Sequence, residues 1–457
     1  MASAQGLAQL LADVGWRPEQ FAKQLSGYAE GHGHIVRLHP KTPYKWLAGK
    51  IPRRPWPTLA TALLSDRLGR LVTPADLGWP DTPQEAVPAS TALLLPWTAA
   101  GGLQAATTVT DAGIMHRRLF LTLTGAALTA PAHEWLIAHP ATDTATTSGH
   151  RLDPDVVDHL DTITAGLRRM DDHLGGGHTL HLVQHHLATV VELLTTRRYT
   201  EPVGLRLHTC AAELLRLAGF LAFDDGQHAQ AQRYWIAALH EAHTAADTAL
   251  GANILGFMSC QAKDLGQTRQ AVTLAQTALA GYPGASPTVN AILALRAAEA
   301  HANEQSQTQC RRAIDAAFTR LADAAPGHGN PPWSYWMTEA QAHAQAGYCH
   351  LKLKNWKPAR THLSRALHLQ GDDYTREGAL RQALLATTYA QQEHPDLDRA
   401  IHLGRQAVDT LSGQVNSTRC VKHISELIES LKPYQRVSAA REFTIRATEL
   451  LRTTTRN

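Results

Sequence analysis

Gly219-Phe220-Leu221-Ala222-Phe223-Asp224-Asp225-Gly226-Gln227-His228-Ala229-Gln230-Ala231, followed by Ala238, is the stretch that decides how this chain folds. A small residue, a turn residue seven later, a small residue twelve later and an alanine nineteen later place two helices around one tight turn. The spacing returns at Ser259, Gly266, Ala271 and Ala278, more loosely at Ala298, Gln305, Cys310 and Ala317, and again at Gly347, Lys354, Ala359 and Ala366. A fifth unit keeps Ala400 and Ala407 after a longer turn, Glu393–Asp398. Positions 231, 271, 310, 359 and 400 are 40, 39, 49 and 41 residues apart. Small residues at these offsets let antiparallel helices, and then successive pairs, approach closely; each pair buries its apolar face only against its neighbours. The expectation is an all-α fold, an α-solenoid of helix pairs; an irregular helical bundle is the alternative.

The repeat lies in the last of three parts. Residues 116–457 carry helical periodicity, with proline mostly confined to gaps and no alternating strand pattern. Residues 81–115 are rich in Ala, Thr, Pro and Gly, with no charged side chain from 86 to 110, and read as a linker with apolar patches that touch a folded surface. Residues 1–80 form a separate small module. Leu7, Leu10, Leu11 and Val14 make a helical stripe, and Pro18 opens a second helix carrying Phe21, Ala22, Leu25 and Tyr28. A short third helix runs from Thr42 to Ala48, closed by Gly49 and Pro52, and a fourth from Thr58 to Leu68.

Charge separates the module from the rest. The 457 residues carry a net charge of +3, but residues 1–80 hold ten Lys/Arg against five Asp/Glu. Between Ile35 and Arg54 stand Arg37, Lys41, Lys45, Lys50, Arg53 and Arg54, with no acidic residue. A basic stretch on a short helix points to double-stranded DNA as partner. The helix N-terminus offers Lys41, Thr42 and Lys45 to base edges, and Tyr44 to a phosphate or a thymine methyl. Lys50, Arg53 and Arg54 suit phosphate contacts, which set register. Trp46 and Leu47 belong to the inner face. A basic but idle surface is the alternative.

The repeat pattern resembles tetratricopeptide repeats over about residues 205–410, in a slightly long and degenerate version. The whole chain resembles a family of actinomycete transcriptional regulators with an N-terminal helix-turn-helix and a tetratricopeptide-like sensor domain. The residues that carry this are Leu10-Leu11-Ala12-Asp13-Val14-Gly15-Trp16, Thr42-Pro43-Tyr44-Lys45-Trp46-Leu47-Ala48-Gly49, Pro52-Arg53, Leu68-Gly69-Arg70, Val72-Thr73-Pro74 and Asp76-Leu77-Gly78-Trp79. Met170-Asp171-Asp172-His173-Leu174-Gly175-Gly176 and Arg441-Glu442-Phe443 add to it. The resemblance implies a DNA-binding regulator. It departs at the gap of about a dozen residues before the Thr42 helix, where an ordinary helix-turn-helix has three or four.

The concave face of such an array is made by the first helix of each pair. Projected from the small-residue register, it holds Arg216, Phe220, Asn253, Lys263, Glu299, Asn303, Tyr348 and Lys352. This mixed polar and aromatic face suits a peptide or small-molecule effector, Asn pairing with a peptide backbone; plain solvent exposure is the alternative. A homodimer is expected, since one head offers a single recognition helix. Ile424, Leu427, Ile428, Leu431, Phe443, Ile445, Leu450 and Leu451 either form the dimer surface or seal the last repeat. A tetratricopeptide scaffold without specific DNA readout is the competing function.

Other chemistry is absent from the pattern. Cysteines 210, 260, 310, 349 and 420 are scattered and odd in number, as buried thiols of a reducing compartment would be. The N-terminus has no secretory features, and Leu119 to Ala130 is too short and polar to span a bilayer, so a cytoplasmic location without membrane is expected. His116-Arg117-Arg118 lies too far into the chain for an export signal. His133-Glu134 is followed by His139, which breaks the zinc-protease spacing, and His181/His185 lack a third ligand type nearby. Gly175-Gly176-Gly177 lacks the lysine of a phosphate loop. No enzyme, metal or cofactor is expected.

Overall fold

The computed structural model describes residues 3–31, 38–50, 52, 56–68, 72, 76–79, 95–111, 122–141, 144–146, 149–174, 176–284, 286–323, 329–370, 375–414 and 418–454. These residues are almost wholly helical. They divide into two compact units, residues 1–93 with 122–133, and residues 94–121 with 134–457.

The first unit contains α1 (Ser3–Asp13), α2 (Pro18–Gly31), α3 (Thr42–Leu47) and α4 (Trp56–Leu68). Gly15, at φ 69°, ends α1, and the amide of Trp16 returns to the carbonyl of Leu11. Leu7, Leu10 and Leu11 of α1 meet Phe21, Ala22 and Leu25 of α2, Trp46 of α3, and Leu59 and Leu64 of α4. Leu77 and Trp79 complete this core. Gly6 lets α1 lie on the turn at Asp76: a Cβ there would stand 2.2 Å from the Asp76 carbonyl oxygen.

In the second unit, α5 (Ala99–Asp111) occupies much of the stretch read as a linker and packs against later helices. The uncharged composition there serves burial: Ala105 and Ala106 are inside, and Gly102 sits on a helix at His240 and Thr244. The helix α6 (Gly125–Ile137) follows; its residues up to His133 belong to the first unit. A strand was not expected, yet β1 (His150–Arg151) pairs in parallel with β2 (Arg197–Arg198). Between them run α7 (Pro154–Leu174) and α8 (Gly176–Thr196). The array itself is α9 (Glu201–Asp224), α10 (His228–Thr244), α11 (Thr248–Asp264), α12 (Thr268–Gly281), α13 (Pro287–Asn303), α14 (Gln307–Ala322), α15 (Glu339–Lys352), α16 (Trp356–Leu369), α17 (Thr375–Gln391) and α18 (Leu397–Gln414). The helices α19 (Thr418–Leu431) and α20 (Ser438–Thr454) close it.

Each odd helix from α9 to α17 packs most extensively on the even helix that follows it, as a solenoid of helix pairs requires. The repeated small residues explain the pairing. A Cβ on Gly219 would fall 2.4 Å from the Trp235 ring, and one on Gly347 would fall 2.6 Å from Leu363 Cγ. Ser259 Oγ donates to the Ala271 carbonyl at 2.7 Å, stitching α11 to α12. Alanines 231, 238, 271, 278, 359, 366, 400 and 407 are buried. The residues read as turns, Gly226, Gly266, Gln305 and Lys354, all have φ between 58° and 79°, the left-handed conformation that reverses the chain.

The C-terminal apolar residues are spent within the chain. Ile424, Leu427, Ile428, Leu431 and Phe443 are buried with Ala400 and Ala407, and Leu450 and Leu451 pack partly buried on the same cluster. Gly404 makes room for the Phe443 and Leu427 side chains. Ile445 alone of the eight is mostly exposed. They pack on the last pair, as the second of their two readings had it. All five cysteines are buried and free. Among the described residues no helix is long and apolar enough to cross a membrane.

Candidate functional site

The helices α9, α11, α13, α15 and α17 turn one face toward a common cavity of about 250 Å³. Arg168, Asp171 and Asp172 of α7 and His423 of α19 complete its wall. So do residues of the stretch Trp333–Thr338, which joins α14 to α15 and is anchored across the cavity by Tyr335, whose hydroxyl donates to Asp172 at 2.5 Å.

One end of the cavity is aromatic and cationic. The Phe220 and Phe257 rings lie 5.5 Å apart, and Phe257 and Trp336 lie 6.4 Å apart. The guanidinium of Arg216 stands 5.7 Å from the Phe257 centroid; that of Arg296 is 5.3 Å from the same ring and 5.8 Å from Trp336. Arg296 also meets Glu299 at 3.3 Å, and Arg168 pairs with Glu213. Arg216 is buried, and its side chain makes no hydrogen bond or ion pair among the described residues. Burial pushes its pKa down to about 10, opposed by Tyr335 and Asp171 through space. Burial, then the charge of Arg216, does the same to Arg168. The Nε atoms of Arg216 and Arg168, the indole N–H groups of Trp333 and Trp336, and the Gln345 side-chain oxygen are buried without a hydrogen-bond partner among the described residues.

The other end is cross-linked. Lys263 Nζ meets Asp264 at 3.1 Å and Glu299 at 3.8 Å, and lies 4.5 Å from the Tyr348 ring centroid. Lys422 reaches Asp264 at 3.4 Å. Burial opposes the charges of Lys263 and Asp264, but their mutual attraction prevails, holding the ammonium pKa well up and the carboxyl pKa far down. Lys352 pairs with Glu426 at 3.3 Å, and His423 meets Glu426 at 3.3 Å. Burial acts against the Glu426 charge, but His423, Lys352 and Lys422 bring its pKa down to about 2.

Arg216, Phe220, Lys263, Glu299 and Tyr348, expected on the concave face, thus line one cavity. Asn253, Asn303 and Lys352 do not. Asn303 donates to Tyr348 Oη at 3.1 Å and to the Glu299 carbonyl, and Lys352 serves the tie to α19. Asn253 lies buried on α11, one helical turn before Phe257. The asparagines assigned to a peptide backbone are therefore not presented to the cavity. Arg168, Phe257, Arg296, Trp333, Tyr335, Trp336 and Arg381 line it without having been expected there. One signal pointed to the tryptophans: the 49-residue step from Cys310 to Ala359 exceeds its neighbours, and the aromatic run Trp333-Ser334-Tyr335-Trp336 lies inside it.

In the first unit, α3 is amphipathic. Trp46 points inward and meets Trp79 edge-on at 5.8 Å and Phe21 at 6.4 Å; Leu47 packs partly buried on the same core. Lys41, Tyr44, Lys45 and Lys50 are exposed, and Thr42 is half-buried. Tyr44 donates its hydroxyl to Glu19 at 2.5 Å, which holds the Glu19 carboxyl below its ordinary pKa and ties α3 to α2. Arg53 and Arg54 lie outside the described residues. Residues 7–80 match a family model described as the SP15 N-terminal domain. No curated protein matches the chain. The matched segment contains the whole of α3 and the core residues that orient it, from Leu7 to Trp79. His181 and His185 are exposed on α8, and no group of three or more potential metal ligands occurs among the described residues.

Proposed function

We propose that the chain is a DNA-binding transcriptional regulator acting in the cytoplasm. Residues 1–80 serve as a helix-turn-helix head, and tetratricopeptide-like helix pairs sense an effector and hold a homodimer. The observation that carries this reading is α3, whose core face is anchored by Trp46 while Lys41, Tyr44 and Lys45 stand outward beside Lys50. A helix fixed on one side and basic on the other can enter the major groove with its register set by the fold. The excess of five positive charges on residues 1–80 supplies the sequence-independent attraction. The cavity of the second unit supplies a place for an effector, and its modest volume favours a small molecule over an extended peptide.

Gel shifts with genomic fragments and the full-length chain test the reading. Binding should fall steeply between two salt concentrations. Lys45→Ala should relax sequence preference, each base contact being worth about 1–3 kcal/mol, whereas Lys50→Ala should weaken all fragments alike. A folded full-length protein that shifts no fragment at low salt would leave a protein-interaction scaffold as the function.

A further inference from the structure

We infer that the aromatic end of the cavity is a built subsite for a small, singly charged organic carboxylate with a planar apolar body, held by Arg216. The inference rests on the sensor reading of the helical array and names the chemistry that the sensor takes.

Arg216 is the starting point. A guanidinium buried without a hydrogen-bond or ion-pair partner is costly, and its fork geometry matches a carboxylate. Around it the unmet capacity is mostly of one kind. The indole N–H groups of Trp333 and Trp336 and the Nε atoms of Arg216 and Arg168 all donate, and among the described residues of the wall the Gln345 oxygen alone accepts. A ligand that supplies acceptor oxygens answers that imbalance, and a neutral apolar one does not. Phe220, Phe257 and Trp336 stand beside the arginine with ring centroids 5.5 and 6.4 Å apart, a surface suited to a flat apolar group.

Charge limits the ligand further. The cavity wall carries Arg168, Arg216, Lys263, Arg296 and Arg381, but also Asp171, Asp172, Asp264, Glu299 and Glu377. Lysine and carboxylates pair with each other at the Lys263 end, and of the arginines on the wall Arg216 is the one without a hydrogen-bond or ion-pair partner among the described residues. A single negative charge balances it, while a phosphate dianion would meet the surrounding carboxylates. A cavity of about 250 Å³ limits size in the same direction.

The test uses the full-length protein without DNA. Binding of 2-naphthoate, 2-naphthamide and 2-naphthyl phosphate is followed by titration calorimetry and by quenching of tryptophan fluorescence, with benzoate and indole-3-acetate as further carboxylates. The carboxylates should bind, and 2-naphthamide should bind about tenfold more weakly than 2-naphthoate. Arg216→Met, checked for folding by circular dichroism, should reduce 2-naphthoate to the level of its amide and leave the amide unchanged. Equal binding of acid and amide to the unsubstituted protein overturns the inference whether or not the variant folds. Preference for the phosphate, full carboxylate binding by Arg216→Met, or no binding of any carboxylate at about 5 mM also overturns it. A gel shift with and without 2-naphthoate is scored separately. Carboxylate binding that leaves the DNA complex unaltered removes the sensor reading and keeps the subsite.

Discussion

The two ends of the cavity treat buried charge in opposite ways. At the Lys263 end every ionised group has an opposite partner within 3.8 Å, and the pairs join α11, α13, α15 and α19. At the Arg216 end the charge stands against an aromatic ring and has no hydrogen-bond or ion-pair partner among the described residues. Both arrangements place cations on the same face of successive helices, so position alone does not distinguish them. The difference lies in whether a carboxylate stands one residue along, as Asp264 does beside Lys263. A paired end holds the array together; an unpaired end carries a cost that a bound anion would offset.

Removing one member from each end should break this contrast most visibly. Asp264→Asn leaves Lys263 and Lys422 short of their shared carboxylate inside the protein, and should lower stability by about 3–5 kcal/mol in denaturant unfolding. Acid should act on the same end. The Glu426 carboxyl has a pKa of about 2 in the folded chain against 4.5 ordinarily, so the unfolded chain takes up its proton first. Its stabilisation is present above pH 4.5 and is lost as the pH falls toward 2, and Glu426→Gln should flatten the stability profile across that window. Arg216→Met, by contrast, should be neutral or stabilising by about 1 kcal/mol, because it removes a buried charge that has no hydrogen-bond or ion-pair partner among the described residues. A loss comparable to that of Asp264→Asn would show that Arg216 is held by the fold. Lys352→Met should have the smallest effect, under about 1 kcal/mol, since both members of its ion pair with Glu426 are partly exposed; a larger loss would extend the cross-linked end to the surface.

The paired helices were legible because their signal is local. Close approach requires Gly219, Ser259 and Gly347 to be small, and reversal requires a left-handed residue at 226, 266, 305 and 354; both demands repeat with the period of one pair. The helical stripe carrying Phe220, Lys263, Glu299 and Tyr348 follows from the same register. The cavity itself was only half legible. Its depth is decided by which turn of each stripe is covered, and Asn253 and Asn303 lie on turns beyond it. Its remaining wall comes from residues outside the period. Arg168 arrives from α7, before the array, and Trp333 and Trp336 arrive on the connection between α14 and α15. Nothing in a repeat spacing specifies that Tyr335 will find Asp172, 163 residues earlier. The C-terminal helices left two readings open for a related reason: an apolar stripe shows that a face will be covered, not whether the cover lies in the same chain, as Gly404 and its neighbours do.

The cysteines give the array its own record of breathing. Cys210 lies on α9, Cys260 on α11, Cys310 on α14, Cys349 on α15 and Cys420 on α19, each buried and none in a disulfide. Cys260 lines the cavity, while Cys210, Cys310, Cys349 and Cys420 are packed away from it and meet a thiol reagent only when the helices part. In a quasi-linear assembly, segments open with different free energies and in contiguous blocks. The order in which an alkylating reagent marks those four positions would therefore read out, without any engineered label, where along the solenoid the chain first comes apart.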